Sequence, residues 1–280
     1  MLQALNPPIY LISLLPGIGV QVLDGNEHAI HWLILATLAV VLLQHAINLL
    51  NDVSDWQLGA DTEKYDSWVR FHHQNTRIAA MHGWISFLLG GLLGLAVLLL
   101  TDRLWILAVA APMLVLGYLY NSGPRPLSYT HLGEWVTGLC YGPGVFGCLW
   151  LLGGGNLDLR AVLGMTAFAA LAMGLLLSHQ PPQIETDRRS GKHSFAVRYG
   201  AARTRQAARL LFTLFLASYG TALWLSDNNH VTVAIYSVTA FFAWIGIMLL
   251  LPKPVVILMP AALLMLLTLL AATIPSLLTL

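Results

Sequence analysis

The stretch HWLILATLAVVLLQHAINLLNDVSDWQLGAD, from His31 to Asp61, joins a long apolar segment to a cluster of acids. Its part over 31–50 contains no Asp, Glu, Lys or Arg, and about 20 mostly apolar residues are what a helix needs to cross a bilayer. Three of the 13 acidic residues in the whole chain then follow within 51–61. The stretch predicts a membrane-spanning helix that ends in carboxylates.

The composition of the whole chain supports a membrane protein. Of its 280 residues, 57% are hydrophobic and 10% are charged, and the mean hydropathy is +0.71. A soluble domain carries about 25% charged residues, so the composition excludes an ordinary water-soluble globule. The net charge of +1 gives no information about partners, and the chain has no basic block that would suggest nucleic acid. We infer no obligate protein partner, and the N-terminal residues show no signal-peptide pattern.

Apolar segments long enough to span a membrane recur along the chain. Nine candidates are separated by polar or Pro/Gly breaks, and they cover residues 8–24, 29–50, 78–100, 103–121, 133–152, 159–180, 206–225, 230–251 and 255–278. The predicted fold class is therefore an all-α, polytopic membrane protein with about nine transmembrane helices. We expect residues 1–280 to form a single transmembrane domain.

Basic residues lie almost entirely on one side of these predicted spans. Twelve of the 14 Lys and Arg follow the second, fourth, sixth and eighth spans or open the seventh: Lys64, Arg70, Arg77, Arg125, Arg188, Arg189, Lys192, Arg198, Arg203, Arg205, Arg209 and Lys253. The other side holds Arg103 and Arg160. Lys and Arg mark the cytoplasmic side. We therefore expect a multi-pass protein of a bacterial-type inner or plasma membrane, with its N-terminus inside and its C-terminus outside.

The polar residues after the second span share helical spacing, at positions i, i+3, i+4 and i+7: Asn48, Asn51, Asp52 and Asp55. Such residues lie on one face of a helix. A solvated loop or an ordinary helix end needs no such alignment, and the macrodipole disfavours acids at a helix C-terminus by about 0.3–1 kcal/mol each. Clustered carboxylate and amide oxygens are ligands for hard divalent cations. We predict a metal site at Asp52 and Asp55.

A second long connection on the same side mixes acids and bases. The stretch QPPQIETDRRSGKHSFAVRYG, from Gln180 to Gly200, contains Glu185, Asp187, Arg188, Arg189 and Lys192. Such a set is consistent either with a cytoplasmic loop that carries a few incidental acids or with an anion bridged to the protein through a metal ion. Without the metal, a diphosphate facing a carboxylate at 4 Å would be repelled by about 4 kcal/mol per charge pair at an effective dielectric near 20. Mg²⁺ reverses that sign, because it binds through one or two carboxylates plus substrate phosphates. Arg and Lys then bind the remaining phosphate oxygens.

A third segment on this side, YLYNSGPRPLSYTHLGE from Tyr118 to Glu134, places three tyrosines near one cation. The residues are Tyr118, Tyr120, Tyr129 and Arg125. Tyr is common at membrane interfaces whatever the function. The segment by itself is therefore consistent either with substrate binding or with interfacial anchoring.

Together these three segments resemble the UbiA superfamily of intramembrane prenyltransferases, and within it the menaquinone-type branch that prenylates 1,4-dihydroxy-2-naphthoate. The first signature, N-D-x-x-D, is matched by Asn51, Asp52 and Asp55, with further matches at Asn48, Gly59 and Asp61. The stretch GPRPLSYTHLGE resembles G-P-K-P-L followed by L-G-E, with Arg125 where Lys is usual. The second signature is matched in its C-terminal part by Asp187, Arg188, Gly191, Lys192, Ser194, Ala196, Val197, Arg198 and Gly200.

This resemblance implies a helical cup with a cytoplasmic polar cap and an apolar cavity open to membrane lipid. It implies an isoprenyl diphosphate donor, a Mg²⁺ cofactor bound by Asp52, Asp55 and Asp187, and a lipophilic or aromatic acceptor, as in quinone biosynthesis. Lys192 joins the three acids as a catalytic residue. The implied substrate-binding residues are Asn48, Asn51, Asp61, Tyr118, Arg125, Gln183, Glu185 and Arg188. Tyr118 and Trp56 are candidate cation–π partners of an allylic carbocation, at about 0.5–2 kcal/mol each.

The second signature departs from the family at its beginning. Where the family has Asn and then Arg-Asp, this chain has Gln180, Pro182 and Gln183. An Asn6-Pro7 pair also replaces the usual Arg-Pro. Gln183 offers a neutral oxygen in place of a carboxylate, which predicts a weaker second metal position. The two prolines should end the sixth span, and we expect Glu185 to act as a substitute ligand.

Two other functions share much of this pattern. A terpene cyclase of the same superfamily would ionise the same diphosphate but close the cation on the substrate itself. A lipid-binding or transport homologue without catalysis would explain the altered second signature. Transporters, however, place charge near the bilayer midplane on broken helices, whereas the charges here fall at helix ends.

Overall fold

The computed structural model describes residues 7–24, 30–60, 66–121 and 126–277, with side chains described for 10–23, 30–60, 66–121 and 126–273. Within these ranges the regular structure is helical, and no strand occurs. The predicted all-α class is confirmed. Asn6, Asp61, Lys64 and Arg125 lie outside the described residues.

Most of the chain is in long helices joined by short connections. The α-helices in chain order are α1 (Pro7–Asp24), α2 (Ile30–Gln57), α3 (Trp68–Phe71), α4 (Thr76–Leu100), α5 (Leu107–Asn121), α6 (Gly133–Leu139), α7 (Cys148–Leu152), α8 (Leu159–His179), α9 (Ile184–Arg189), α10 (Phe195–Trp224), α11 (His230–Leu249) and α12 (Pro254–Leu277). A π-helical segment, Cys140–Gly147, joins α6 to α7, so these three pieces form one continuous rod.

Eight helical segments in the described part of the chain are long and apolar enough to cross a membrane. They coincide with the second to ninth predicted spans. The first predicted span falls on α1, whose apolar part, Tyr10–Leu23, is shorter. The number of nine spans therefore stays a prediction.

Two helices reach further into the polar connections than the sequence predicted. α2 continues beyond residue 50 to Gln57, so its acids lie on the last helical turns. α10 begins at Phe195 rather than near 206, and it is interrupted at Gly200, where φ is 80° and ψ is 165°. This backbone region is essentially restricted to glycine. Gly200 therefore allows a short helical turn beside the site to continue as a membrane helix.

Polar residues at the breaks satisfy the exposed N–H groups of helix N-termini. Asn75 Oδ1 accepts from Ile78 N at the start of α4, and Asp158 Oδ1 accepts from Ala161 N at the start of α8. Asn229, one of the residues that predicted a break, caps α11. A side-chain cap of this kind stabilises a helix by about 1 kcal/mol. The C-terminal end of α8 is at His179, just before Pro181, as the two prolines predicted.

The apolar core lies between the π-helical segment, α8 and α10. Phe146 stacks on Phe168 with ring centroids 5.2 Å apart, and Phe168 meets Tyr219 edge-on at 5.9 Å. The Tyr219 hydroxyl donates to the Gly19 carbonyl at 3.0 Å, which ties α1 to this core. These side chains are fully buried. The core therefore holds the helices that carry the second polar connection.

The outer surfaces of the long helices are apolar. Leu88 on α4, Phe242 on α11 and Leu249 on α11 are 60%, 65% and 78% exposed. Apolar surface exposed on this scale marks contact with a membrane. The buried acids lie instead at or beside the α2–α4, α5–α6 and α8–α10 connections, which meet one another at one end of the molecule: Asp52, Asp55, Glu134 and Asp187.

Candidate active site

The first element of the site is the C-terminal end of α2. Asp52 and Asp55 are 1% and 3% exposed, so neither carboxylate is a solvated surface acid. Asn51 Nδ2 donates to Asp55 Oδ2 at 3.1 Å, one helical turn away. The backbone N–H of Trp68, in the short helix α3, donates to Asp52 Oδ2 at 2.7 Å. Each acid is held in place by a hydrogen bond from the protein.

Asp55 joins all three polar connections. The Tyr129 hydroxyl donates to Asp55 Oδ1 at 2.9 Å, and Lys192 Nζ donates to Asp55 Oδ2 at 3.0 Å. The same ammonium lies 4.7 Å from the centre of the Tyr129 ring, a cation–π distance. The Lys192 and Asp55 side chains are 14% and 4% exposed. The first and second signatures therefore meet in a buried ion pair.

Backbone contacts of the second signature hold Lys192 in this position. Lys192 N donates to the Asp187 carbonyl at 2.8 Å, and His193 N donates to the Tyr129 carbonyl at 2.9 Å. The Ser194 hydroxyl donates to Asp187 Oδ2 at 2.9 Å. Asp187 is 8% exposed. The acid of the second signature is thus buried and shapes the loop that carries the lysine.

A second buried carboxylate, Glu134, anchors the start of α10. Glu134 Oε1 accepts from Phe195 N at 2.6 Å and from Gln180 Nε2 at 3.0 Å. Gln180 Oε1 in turn accepts from Ala196 N at 3.1 Å, and Arg198 Nη2 lies 3.5 Å from Glu134 Oε2. Glu134 is 5% exposed and Gln180 is 6% exposed. This network supplies partners to N–H groups at the helix start.

The structure does not bring every predicted residue to this cluster. Gln183, Glu185 and Arg188 are exposed. Glu185 lies 3.1 Å from Arg189 Nε and 3.6 Å from Arg188 Nη1, on the surface of its own helix. To act as a substitute metal ligand, Glu185 would have to leave both arginines, and this role stays a prediction.

The two predicted aromatic partners contact other residues. Tyr118 is 39% exposed and its ring lies 5.8 Å from that of Trp84 on α4. Trp56 is partly buried beneath the guanidinium of Arg70, at 5.7 Å. Asn48 is partly buried on α2. Two further predicted substrate-binding residues lie outside the described residues, namely Asp61 and Arg125.

Four residues of the cluster were not assigned to the site from the sequence: Tyr129, Glu134, Gln180 and Ser194. Glu134 and Gln180 are polar residues at the edge of an apolar segment, and this same pattern in the sequence indicated Asp52 as a site residue. Tyr129 and Ser194 belong to the matched stretches, but nothing in the sequence identified their hydrogen-bond partners.

The donor set suits a Mg²⁺ ion that arrives with a phosphate. Among the residues with described side chains, no three His, Cys, Asp or Glu groups are placed to hold one ion. Mg²⁺ does not require such a cage, because it binds through one or two carboxylates plus substrate oxygens and water. Asp52 and Asp55 supply buried carboxylates of this kind. The Lys192 ammonium at Asp55 shows that this carboxylate already stabilises a cation.

Comparison with known proteins places this cluster in a family context. The sequence model of the UbiA prenyltransferase family matches residues 11–256. The chain is 32% identical to the 1,4-dihydroxy-2-naphthoate octaprenyltransferase of Mycobacterium tuberculosis over 202 residues, covering 68% of each chain. It is 26% identical to the enzyme of the same description from Bacillus subtilis, covering 76% of this chain and 65% of the relative.

A plant relative and two solved structures extend the comparison. The chain is 28% identical to the chloroplastic 2-carboxy-1,4-naphthoquinone phytyltransferase of Arabidopsis thaliana, covering 76% of this chain and 59% of the relative. A UbiA homolog from Archaeoglobus fulgidus, bound to DMAPP and Mg²⁺, superposes with a TM-score of 0.70 at 16% identity, covering 97% of this chain and 96% of that one. The apo UbiA homolog from Aeropyrum pernix K1 gives 0.71 at 15% identity, covering 95% and 98%. These structures share the fold.

Proposed function

Because the chain belongs to the UbiA prenyltransferase family, we propose that it transfers an isoprenyl group from a prenyl diphosphate to a hydroxylated aromatic acceptor of the naphthoate class. The acceptor class is taken from relatives named as naphthoate octaprenyltransferases or naphthoquinone phytyltransferases. The reaction belongs to quinone biosynthesis, and it takes place in the membrane because donor tail and product are apolar.

The observation that carries this proposal is the buried contact between Lys192 and Asp55. Taking an ion pair out of water is costly, and a hydrophobic pair of similar volume is often as stable. A charged pair at the meeting point of two acidic connections is therefore better explained by a ligand than by stability. An anion that arrives with a divalent cation requires both kinds of group here, because a carboxylate binds the cation and an ammonium binds the anion.

The residues divide this recognition between them. Asp52 and Asp55, with Asp187 as a further acid, would hold Mg²⁺, and when bound this ion neutralises the diphosphate and stabilises the charge of the departing group. Lys192 Nζ can turn from Asp55 to a phosphate oxygen, because its long side chain has freely rotating bonds. Asn51 and the Tyr129 hydroxyl keep Asp55 oriented during that exchange.

The chemistry that follows is an alkylation of the acceptor ring. The bond between the allylic carbon and the diphosphate oxygen breaks, and its electron pair leaves with the diphosphate. A ring carbon of the acceptor forms the new C–C bond and then loses the group it carried, a proton or, at the carboxylated carbon, CO₂, so that aromaticity is restored. The face of the Tyr129 ring, which already holds a cation at 4.7 Å, is suited to stabilise positive charge beside the leaving group.

Prenyl transfer measured in purified membranes or nanodiscs tests this function. We expect wild-type protein, Mg²⁺, a prenyl diphosphate and a dihydroxynaphthoate to give diphosphate and either a prenylated naphthoate or, with loss of CO₂, a prenylated dihydroxynaphthalene. Asp52→Asn and Asp55→Asn should each lower turnover about a hundredfold or more without loss of helix content. Asp227→Asn is the matched control, since Asp227 is exposed after α10.

Two results would contradict the proposal. Near-wild-type turnover in both Asp52→Asn and Asp55→Asn would show that these carboxylates do not bind an essential Mg²⁺ ion. A cyclised terpene formed equally well without any acceptor would assign the chain to the cyclase alternative.

A further inference from the structure

Both oxygens of the Asp55 carboxylate accept hydrogen bonds from the protein. Asp55 Oδ1 accepts from the Tyr129 hydroxyl at 2.9 Å, and Asp55 Oδ2 accepts from Asn51 Nδ2 at 3.1 Å and from Lys192 Nζ at 3.0 Å. The Asp55 side chain is 4% exposed. A metal ion that binds Asp55 therefore enters a buried site where the carboxylate already holds a cation.

The ammonium group of Lys192 opposes a free metal ion for an electrostatic reason. Two cations at one carboxylate repel each other, and the repulsion is stronger in a buried site because the effective dielectric is lower. If the ammonium group left Asp55, it would lose its partner in a place where the Lys192 side chain is only 14% exposed. A buried charge without a partner is strongly unfavourable. Free Mg²⁺ therefore has to overcome the Lys192–Asp55 pair in order to bind.

A diphosphate changes this balance because it supplies a new partner for Lys192. Some of its oxygens can accept from the ammonium group, while others bind the metal ion together with the carboxylate. The single contact between Lys192 and Asp55 is then replaced by contacts from carboxylate to metal, from metal to phosphate and from phosphate to ammonium. No charge is left unpaired. The side chain that opposes a free metal ion therefore favours one that arrives with a diphosphate.

This exchange requires movement of the Lys192 side chain and not of its loop. The backbone is held on both sides of the ammonium-bearing residue, since Lys192 N donates to the Asp187 carbonyl at 2.8 Å and His193 N donates to the Tyr129 carbonyl at 2.9 Å. A Cβ at Gly191, the preceding residue, would meet no atom within 4 Å. The ammonium group is carried by a flexible four-carbon stem. It can therefore change partners while the loop keeps its position.

We propose that Lys192 makes the site selective for a metal–diphosphate complex over a free metal ion, so that Mg²⁺ and the prenyl diphosphate bind weakly alone and tightly together. The proposal rests on the proposed function, because it places the diphosphate and its metal ion between Asp55 and Lys192. By thermodynamic linkage, the diphosphate raises the affinity for Mg²⁺ by the same factor as Mg²⁺ raises the affinity for the diphosphate. Cellular Mg²⁺ therefore does not fill the site before the donor arrives.

Binding of Mn²⁺, which takes the same kinds of oxygen ligand as Mg²⁺, tests this selectivity without turnover. Protein in nanodiscs is titrated with Mn²⁺ alone and with Mn²⁺ plus a prenyl S-thiolodiphosphate, whose carbon–sulfur bond resists ionisation. Loss of the electron paramagnetic resonance signal of free Mn²⁺ reports binding, and nanodiscs without protein give the background of each titration. For the wild type we expect the analogue to raise the Mn²⁺ affinity about tenfold or more, within the usual range of coupling between sites.

Lys192→Met distinguishes selectivity from a structural role, because its two effects should have opposite signs. The substitution keeps a long side chain and removes the charge. We expect the variant to bind Mn²⁺ alone about tenfold more tightly than wild type, and the Mn²⁺–analogue complex about tenfold less tightly. A disturbed fold would weaken both. Lys192→Arg keeps the charge and should bind Mn²⁺ alone as weakly as wild type. Lys253→Met is the matched control, since Lys253 is exposed between α11 and α12, and it should match wild type in both titrations.

Either of two results would overturn the selectivity. The wild type could bind Mn²⁺ alone as tightly as with the analogue, or Lys192→Met could bind Mn²⁺ alone no more tightly than wild type. In both cases the Lys192–Asp55 pair does not oppose the free ion, and prenyl transfer by the same wild-type preparation would leave the proposed function standing. If the wild type binds no analogue with Mn²⁺ and transfers no prenyl group from any donor, the selectivity and the proposed function fail together.

Discussion

At the scale of single residues, Asp55 and Glu134 are the two carboxylates that organise the site. Asp55 accepts from Asn51, Tyr129 and Lys192, which belong to three different segments. Glu134 accepts in the same way from Gln180 and Phe195. Since a buried carboxylate requires such donors, each acid determines where the surrounding loops lie.

Removal of the Glu134 carboxylate should therefore destabilise the protein. Glu134→Ala leaves Gln180 Nε2 and Phe195 N without their acceptor, and each such buried donor costs about 1–3 kcal/mol. We expect thermal unfolding in detergent to occur several degrees lower. Glu185→Ala is the control, because its surface ion pairs contribute about 0–1 kcal/mol. Equal melting temperatures for the two variants would show that the Glu134 network does not stabilise α10.

Gln183 allows the altered second signature to be tested. It precedes α9 at the N-cap position and is exposed, yet Gln183→Asp restores the carboxylate usual in the resembled family. We expect this variant to reach half-maximal turnover at a lower Mg²⁺ concentration than wild type. Gln183→Asn separates charge from helix capping, because Asn and Asp cap about equally well. A Mg²⁺ titration of all three proteins decides the matter, and identical curves would contradict a metal position near residue 183.

The role of Glu185 is measured in the same titration. The sequence predicts a substitute ligand, so Glu185→Gln would raise the Mg²⁺ requirement. The pairing of Glu185 with Arg188 and Arg189 on the helix surface leads us to expect no change. A higher Mg²⁺ requirement in Glu185→Gln would show that Glu185 leaves these arginines when substrate binds.

At the scale of elements, the break in α10 connects the site to the membrane. Phe195 and Ala196 donate to Glu134 and Gln180 at the beginning of the helix. After Gly200 the helix continues along α8, where Phe212, Phe215 and Tyr219 belong to the apolar core. The helix α10 therefore begins in the polar site and continues in the apolar core, because its backbone changes direction at Gly200.

Gly200→Ala tests this arrangement. A Cβ at Gly200 would meet no neighbouring atom within 4 Å, but φ is +80°. The penalty is therefore one of backbone conformation, about 1–3 kcal/mol. Gly246→Ala in α11 is the control, since its Cβ also meets nothing and helical Ala is about 0.5–1 kcal/mol more stable than Gly. We expect opposite shifts in melting temperature, and a neutral Gly200→Ala would contradict the strained break.

At the scale of the whole molecule, the polar connections after α2, α5 and α8 meet at one end, while apolar side chains cover the helix surfaces. This separation suits a donor with a charged head and an apolar tail. Twelve basic residues were assigned to the end that carries the site. We propose that this end faces the cytoplasm.

Reporter fusions test that orientation. A fusion within the second signature near Gly191 should report a cytoplasmic location. One after Leu280 should report the opposite side, because the nine predicted spans are an odd number. A cytoplasmic signal after Leu280 would overturn either the number of nine spans or the orientation.

The sequence by itself determined the helical class, most span positions and the presence of acids at helix ends. These features are local. A run of apolar residues predicts a span from its length, and the spacing of Asn51, Asp52 and Asp55 places them on one helix face. The matched signatures then indicated the family, which the comparison confirmed.

Only the tertiary structure decided which of these residues meet. Lys192 reaches Asp55 across 137 positions, and Gln180 reaches Glu134 across 46. No periodicity links positions so far apart, because such contacts depend on how α2, α6, α8 and α10 pack. The same packing leaves Gln183, Glu185 and Tyr118 exposed. It also brings Tyr10, His45, His82 and His72, from different helices and a turn, within hydrogen-bond distance of one another in that order. Membrane spans can be predicted from the hydropathy of consecutive residues. Hydrogen-bond partners cannot, because they depend on distances that are set only when the chain folds.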